Sequence, residues 1–250
     1  MELHQARRLP QHPDCTRCEL HEEANSVGIA TVHYPESLHH SKDTPVVFFI
    51  GQNPGFFEDQ ACEPFVGKSG QLVKSGYIEA MGLHERATIY LGNGVRCHTT
   101  ANAAPKPVNY RECNQHLIQD LQLIASQPHK ELIIFTLGAP ATASFHKNII
   151  SGEKVLLTAS FNKNGESCSP EEHKIERVGT LTMFSTYHPA AVLRSKQLIL
   201  SVKDHLSLMI DYISGTMASP TTPSIVPCRA PGCGSPSTCK QGSQCLRKDS

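Results

Sequence analysis

The sequence has no long apolar run, no signal-peptide pattern and no excess of charge of either sign. Without a run of about 18 apolar residues, we expect no transmembrane helix. The polar N-terminal segment predicts a cytoplasmic protein with no membrane partner. Basic and acidic residues number 23 each, which argues against a surface that is positively charged all over and binds a polyanion. Any nucleic-acid partner would therefore need a local basic face.

Length and composition predict one domain and a tail. The chain has 250 residues, of which 39% are hydrophobic, enough for a sizeable core. Pro, Ser, Thr, Gly and Cys dominate residues 216–250, so we expect a disordered tail after a domain at 1–215. The tail cysteines have spacings that fit no familiar zinc site, which leaves a metal knuckle or partner docking as alternatives. These cysteines are Cys228, Cys233, Cys239 and Cys245.

Ten cysteines is a high count for a chain with no secretory signal. Disulfides are a poor explanation in a reducing compartment, so metal ligation or iron–sulfur chemistry is favoured. The pair Cys15-x-x-Cys18 has the spacing of a metal-binding element.

Short apolar runs alternate with helical patterns along the chain. The runs that predict buried strands cover residues 45–50, 87–91, 131–137 and 181–185. The helical patterns cover residues 67–78, 109–126, 139–146 and 197–213. This alternation predicts a parallel sheet with helices on both faces.

Unusual residues follow three of the predicted strands. Gly51, Gln52 and Asn53 follow the first, Asn93 ends the second, and His188 follows the fourth. Ligands of parallel sheets bind outside the carboxyl ends of the strands, so these residues predict one active site.

Three segments carry a resemblance to a known family. They are Gly51–Gln71 with its Pro64-Phe-Val-Gly core, Tyr90–Cys97, and Thr186–Arg194 with Tyr-His-Pro. Together they resemble the signature regions of the uracil-DNA glycosylase superfamily, in its iron–sulfur branch called family 4. The resemblance covers roughly residues 15–213. It implies a three-layer α/β/α sandwich with a central four-stranded parallel sheet.

The resemblance also implies an activity and a partner. A monomeric, monofunctional glycosylase would flip uracil from single- or double-stranded DNA and leave an abasic site. No lysine lies at a matching strand end, so cleavage of the DNA strand through a Schiff base is not expected.

The resemblance implies a [4Fe–4S] cluster bound by four cysteines. Cys15, Cys18, Cys97 and Cys113 fit its ligand pattern. Spacing alone leaves zinc and reduced structural cysteines open. Cys62 and Cys168 are expected to be free.

Roles in catalysis follow from the same resemblance. Asn53 resembles the mismatch-directed branch of the superfamily and would place the attacking water without deprotonating it, because an amide is a poor general base. Glu58 and Asp59 match the family's acidic pair, of which one would help to hold water or stabilise the sugar cation. His188 would stabilise charge developing on uracil O2. The plainer alternatives are a turn asparagine, a solvated loop acid and a surface histidine.

Base recognition is assigned to the loops after the first two strands. Phe65 would stack on the flipped base and Asn93 would read its edge, while Gly51 and Gln52 would line the pocket. The alternatives are a core phenylalanine and a turn asparagine.

DNA contacts are assigned to two helix starts. Leu193 would enter the base stack, Arg194 would hold a phosphate or the orphan base, and Lys68 and Ser69 would contact the backbone. The alternative for residues 190–194 is simply the start of a helix. Arg96, Lys106 and Lys196 could extend this basic face.

The chain departs from family 4 at several positions. The family usually has Glu at 52, a small residue at 53, and Arg-Pro where His98 and Thr99 stand. These departures leave open a uracil-DNA binding module with little turnover. A redox-sensitive docking protein is a third possibility.

Overall fold

A computed structural model describes residues 8–150, 171–175 and 178–216. All of them belong to one unit, Met1–Pro220. The predicted disordered tail with its four cysteines, and Cys168, lie outside the described residues.

A six-stranded sheet forms the centre of the described structure. Its strands, in chain order, are β1 (Val32–His33), β2 (Val46–Gly51), β3 (Thr88–Asn93), β4 (Leu132–Leu137), β5 (Glu171–Ile175) and β6 (Gly179–Thr186). Their spatial order is β1-β3-β2-β4-β6-β5. The four inner strands are parallel, which confirms the predicted sheet, and β1 and β5 add antiparallel edges.

The inner strands are buried on both faces. All six residues of β2 are buried, and their side chains alternate between two hydrophobic cores. Val47 and Phe49 face one core, and Val46, Phe48 and Ile50 face the other. A strand buried on both faces needs apolar residues at every position, which explains the continuous apolar run in the sequence.

Helices cover both faces and complete the three-layer sandwich. They are α1 (Leu20–Glu23), α2 (Phe56–Ala61), α3 (Lys68–Gln71), α4 (Pro107–Ala125), α5 (Ala139–Phe145), α6 (Pro189–Arg194) and α7 (Leu198–Ile213). π-Helical segments extend α3 through Leu72–Glu79 and α5 through His146–Ile150. The first segment packs on one face with α6 and α7, and α4 and α5 pack on the other.

The sequence patterns did not predict the two edge strands as part of the sheet. β1 has two residues, too few for an alternating pattern, and β5 is mostly polar in sequence. Among the described helices, none has the length and apolar character needed to cross a bilayer.

Candidate active site

The ends of the parallel strands bring the predicted site loops to one edge of the sheet. Gly51 at the end of β2 is the register partner of Asn93 at the end of β3. Across the sheet, the N–H of Gly138 after β4 donates to the carbonyl of Thr186 at the end of β6 (2.7 Å). His188 follows two residues later. The described contacts do not join His188 to Asn53, although both belong to this edge.

Gly51, Phe65 and Asn93 lie in close contact at the ends of β2 and β3. A Cβ atom placed on Gly51 would lie 2.4 Å from Asn93 Oδ1 and 3.2 Å from Phe65 Cζ. Asn93 is only 6% exposed, yet its amide makes no hydrogen bond with any described residue. Neither polar atom of this amide is among the fully buried, unpaired atoms of the described residues, so both stay accessible to a ligand. This arrangement fits an amide that reads the edge of a bound base.

Phe65 has a strained backbone. Its φ is +60°, in the left-handed region that a bulky residue rarely adopts. Gly70 permits this geometry, because a Cβ there would lie 2.2 Å from the Phe65 carbonyl carbon. Strain of this kind is concentrated at functional sites, where the surrounding structure maintains it. The Phe65 ring, at 8% exposure, lies beside Gly51 and is nearly buried.

Asn53 is held by two acceptors. Its Nδ2 donates to the Pro54 carbonyl (3.1 Å) and to Thr99 Oγ1 (3.2 Å). A carbonyl can only accept, so the nitrogen faces inward and Oδ1 is left to accept a hydrogen bond from another group. Asn53 is half-buried, so this oxygen can bind a water molecule at the edge of the site.

Glu58 lies between two glycines and is 9% exposed. Its Oε1 accepts a hydrogen bond from the Gly67 N–H (2.7 Å), and a Cβ on Gly55 would lie 2.8 Å from Oε2. The carboxylate therefore joins the loop after β2 to the loop that carries Phe65. Its predicted role in holding water stays a prediction.

Asp59 has a structural role. Its carboxylate accepts hydrogen bonds from the backbone N–H groups of Asn25 (3.0 Å) and Ser26 (2.8 Å). Its carbonyl accepts two more from the side chains of the same residues. These four bonds fasten the N-terminal segment to α2.

His188 caps α6 through its ring. The Ala190 N–H donates to His188 Nδ1 (3.1 Å), so in the neutral ring Nε2 carries the proton and can donate. Burial, and then the Arg194 charge, lower the pKa of His188, which favours this neutral form. A Cβ on Gly138 would lie 2.8 Å from His188 Cβ, so the end of β4 fixes the ring from behind.

The predicted DNA-contacting residues lie on two helices in contact with each other. Leu193 is 48% exposed and Arg194 is exposed near the end of α6. Lys68 is exposed and Ser69 half-buried on α3, which packs against α6. The four side chains therefore belong to neighbouring elements.

Two of the candidates for a wider basic face are paired with acids. Arg96 is 2% exposed and forms a salt bridge with Asp120 (2.5 Å), so its assignment to the basic face was wrong. Lys106 Nζ lies 2.9 Å from Glu19 on the surface, and Lys196 is exposed.

All four predicted ligand cysteines line one pocket: Cys15, Cys18, Cys97 and Cys113. Burial raises the pKa of Cys97 to about 11 and that of Cys113 to about 12. Both thiols would therefore stay protonated at neutral pH unless a metal bound them. Within the described ranges, no three His, Cys, Asp or Glu side chains converge closely enough to hold a single metal ion. Cys62 is a free thiol, as predicted.

His98 and Thr99 were noted in the sequence only as departures from a family pattern. Both are buried, and each contacts the loop of Asn53: His98 Nδ1 donates to the Pro54 carbonyl (3.1 Å) and Thr99 accepts from Asn53. In the sequence, only their position directly after the predicted ligand Cys97 could have marked them as site residues.

Comparisons with known proteins agree with this geometry. A family model described as the uracil DNA glycosylase superfamily matches residues 38–213. The chain is 28% identical to a type-4 uracil-DNA glycosylase of Thermotoga maritima over 182 aligned residues. The aligned region covers 73% of this chain and 79% of that protein. It is 29% identical over 185 residues to the type-4 uracil-DNA glycosylase of Archaeoglobus fulgidus, covering 74% and 80%.

Proposed function

The chain belongs to the uracil DNA glycosylase superfamily, and from this premise we propose that it excises uracil from DNA by hydrolysis of the N-glycosidic bond. The observation that carries the proposal is the close contact of Gly51, Phe65 and Asn93 at the strand ends. There, an unpartnered amide lies beside an aromatic ring. The names of the two relatives support the same activity.

Recognition would depend on Asn93 and Phe65, which lie against Gly51. Uracil offers an N3–H donor and an O4 acceptor, and the Asn93 amide offers an acceptor and a donor in return. Cytosine has the opposite pattern, so an amide of fixed orientation discriminates against it. Stacking on an aromatic face such as Phe65 is worth about 1–3 kcal/mol per base. The close approach at Gly51 sets the depth to which the base can enter.

Bond cleavage would use Asn53 and His188. Water held by Asn53 Oδ1 attacks C1′ of the sugar as the bond between C1′ and the base nitrogen breaks. The bonding electrons move into the uracil ring, and negative charge develops on O2. The His188 Nε2–H donates a hydrogen bond to that oxygen, the attacking water loses its proton to solvent, and the released uracil anion takes up a proton from solvent. The products are free uracil and an abasic site.

We assign the four-cysteine pocket to a [4Fe–4S] cluster. A zinc ion needs all its ligands within about 2.0–2.3 Å of one point, whereas each thiolate of a cluster binds a different iron. In the described structure the four cysteines surround one pocket, but no three of them converge on a single point. This arrangement fits a cluster better than a zinc ion. The cluster would tie Cys15 and Cys18 to the segment that starts at Cys97.

Iron and sulfide analysis of anaerobically purified protein tests this assignment. About four of each per chain supports a cluster, and zinc without sulfide overturns it. Serine at any of the four positions should reduce the iron content, whereas Cys62→Ser, a free thiol elsewhere, should retain it.

DNA would bind across α3 and α6, with Leu193 entering the duplex and Lys68, Ser69 and Arg194 on its backbone. The exposure of Leu193 supports this assignment. That the protein works as a monomer in the cytoplasm stays a prediction.

The activity is tested with a labelled oligonucleotide that carries one uracil, single-stranded, opposite A and opposite G. Alkali-labile product should form with the wild type and fall about 10²–10³-fold with His188→Ala. The yield of alkali-labile product should also fall sharply with Asn53→Ala. If uracil DNA binds but no context yields product, the protein is a binding module and the glycosylase proposal is wrong.

A further inference from the structure

We propose that Thr99 is a positioning residue that fixes the orientation of the Asn53 amide. The inference deepens the proposed function and rests on it, because it concerns the water-binding side chain of the same site. Thr99 is 4% exposed and lies 46 residues from Asn53 along the chain.

The hydroxyl of Thr99 has a fixed polarity. Its single hydrogen is donated to the Ala103 carbonyl at 2.6 Å, so Oγ1 must accept at its contact with Asn53. The Pro54 carbonyl is the second group that can only accept there. Two acceptors on one side of the amide hold its nitrogen inward, and Oδ1 is consequently turned away from them.

A strained turn maintains the Thr99 hydroxyl in this state. Ala101 and Asn102 both have left-handed backbones, with φ of 56° and 55°. The turn closes with a bond from the Asn102 N–H to the Thr99 carbonyl (3.0 Å), and it returns the Ala103 carbonyl to the Thr99 hydroxyl. Two non-glycine residues in this region cost free energy, so the turn must be stabilised by its contacts.

The orientation of Asn53 decides its chemistry. An amide with its oxygen toward solvent accepts a hydrogen bond from water and leaves a lone pair of that water for attack on C1′. The reversed amide would donate to the water and occupy that lone pair. Loss of the Thr99 acceptor would leave only the Pro54 carbonyl to oppose the reversal.

Steady-state kinetics with the holoprotein test the assignment. Thr99→Val keeps the shape and removes the acceptor, so kcat should fall about tenfold with KM within about twofold. Thr99→Ser restores the hydroxyl and should recover most of the rate. Thr100→Val is the matched control, since its hydroxyl binds Glu23 instead (2.8 Å), and it should match the wild type.

A double-mutant cycle separates positioning from general damage to the loop. In an Asn53→Ala background there is no amide to orient, so Thr99→Val should cause no further loss. The same tenfold loss in both backgrounds would overturn the proposal.

A second measurement does not depend on turnover. The side-chain amide resonances of Asn53, assigned from their absence in Asn53→Ala, should shift in Thr99→Val and return in Thr99→Ser. Unchanged resonances in Thr99→Val would overturn the inference even for an active enzyme. A wild type that excises no uracil but shows these shifts would overturn the proposed function alone.

Discussion

The side-chain oxygen of Asn93 occupies the space that a side chain on Gly51 would need. The two residues are register partners at the ends of adjacent parallel strands, and a Cβ on Gly51 would lie 2.4 Å from Asn93 Oδ1. The close pairing of these strand ends thus brings the proposed base-reading amide against bare backbone. This close contact is possible because Gly51 has no side chain.

Gly51→Ala should therefore impair base binding more than folding. The new methyl would displace the flexible Asn93 amide and approach the Phe65 ring, so we expect KM to rise about tenfold or more, equivalent to about 1.4 kcal/mol. Gly94→Ala is the control, because its Cβ would meet its nearest neighbours at 3.7 Å, an ordinary contact. An equal rise in KM for both variants would contradict this account of the contact between Gly51 and Asn93.

The pH profile should report the neutral form of His188. Burial and the Arg194 charge lower its pKa below the usual value of about 6.5. Protonation would put a hydrogen on Nδ1 and break its bond with the Ala190 N–H, which orients the ring, so excision should persist below that pH and fall as the ring is protonated. Arg194→Gln removes the second cause, which should raise the pKa and move the acid limb to higher pH. We would measure single-turnover rates from pH 4 to 8. An acid limb at the same pH in Arg194→Gln would count against an effect of the Arg194 charge on the pKa of His188.

Leu193→Ala should affect duplex and single-stranded substrates differently. The side chain is 48% exposed at the end of α6, where it would fill the space left by a flipped base. A single strand has no base stack to fill, so we expect a large loss only on duplex DNA. Leu200, which is 68% exposed on α7, provides a control as Leu200→Ala. Equal losses on both substrates would argue against a wedge.

Asp59→Ala should destabilise the fold. The change leaves the N–H groups of Asn25 and Ser26 without their carboxylate acceptor, which should cost about 3 kcal/mol. Thermal unfolding of the holoprotein measures it, and iron content should fall as the N-terminal segment loosens. Asp43→Asn, at an exposed loop position, should stay close to wild type. A small effect at Asp59 would show that other contacts hold the segment.

The sequence was sufficient to predict the four inner strands and the main helices. Strands buried on both faces leave continuous apolar runs, and three of the four runs here stop next to a predicted site residue. Asn93 and His188 could be placed at strand ends for that reason alone.

Other features depend on contacts between distant parts of the chain. Arg96 follows a glycine-rich strand end and looked like a surface cation, but a helix packs Asp120 against it, 24 residues later. A buried charge is stable only when paired, and no local pattern reveals the pair. The bond from Asn53 to Thr99 is equally non-local, since the two residues are 46 positions apart.

The arrangement of the four-cysteine pocket also bears on the unfolded chain. Two of its thiols precede Leu20, and the other two lie beyond β3, so 78 residues separate Cys18 from Cys97. Any group that binds both pairs acts as a cross-link: it closes this loop and reduces the conformational entropy of the unfolded state. In the chain-entropy treatment of disulfides, a loop of that length is worth on the order of 4 kcal/mol. From residue 8 to the start of β2, the described N-terminal segment has only a four-residue helix and a two-residue strand. Its attachment would therefore depend on loading of the pocket as much as on packing.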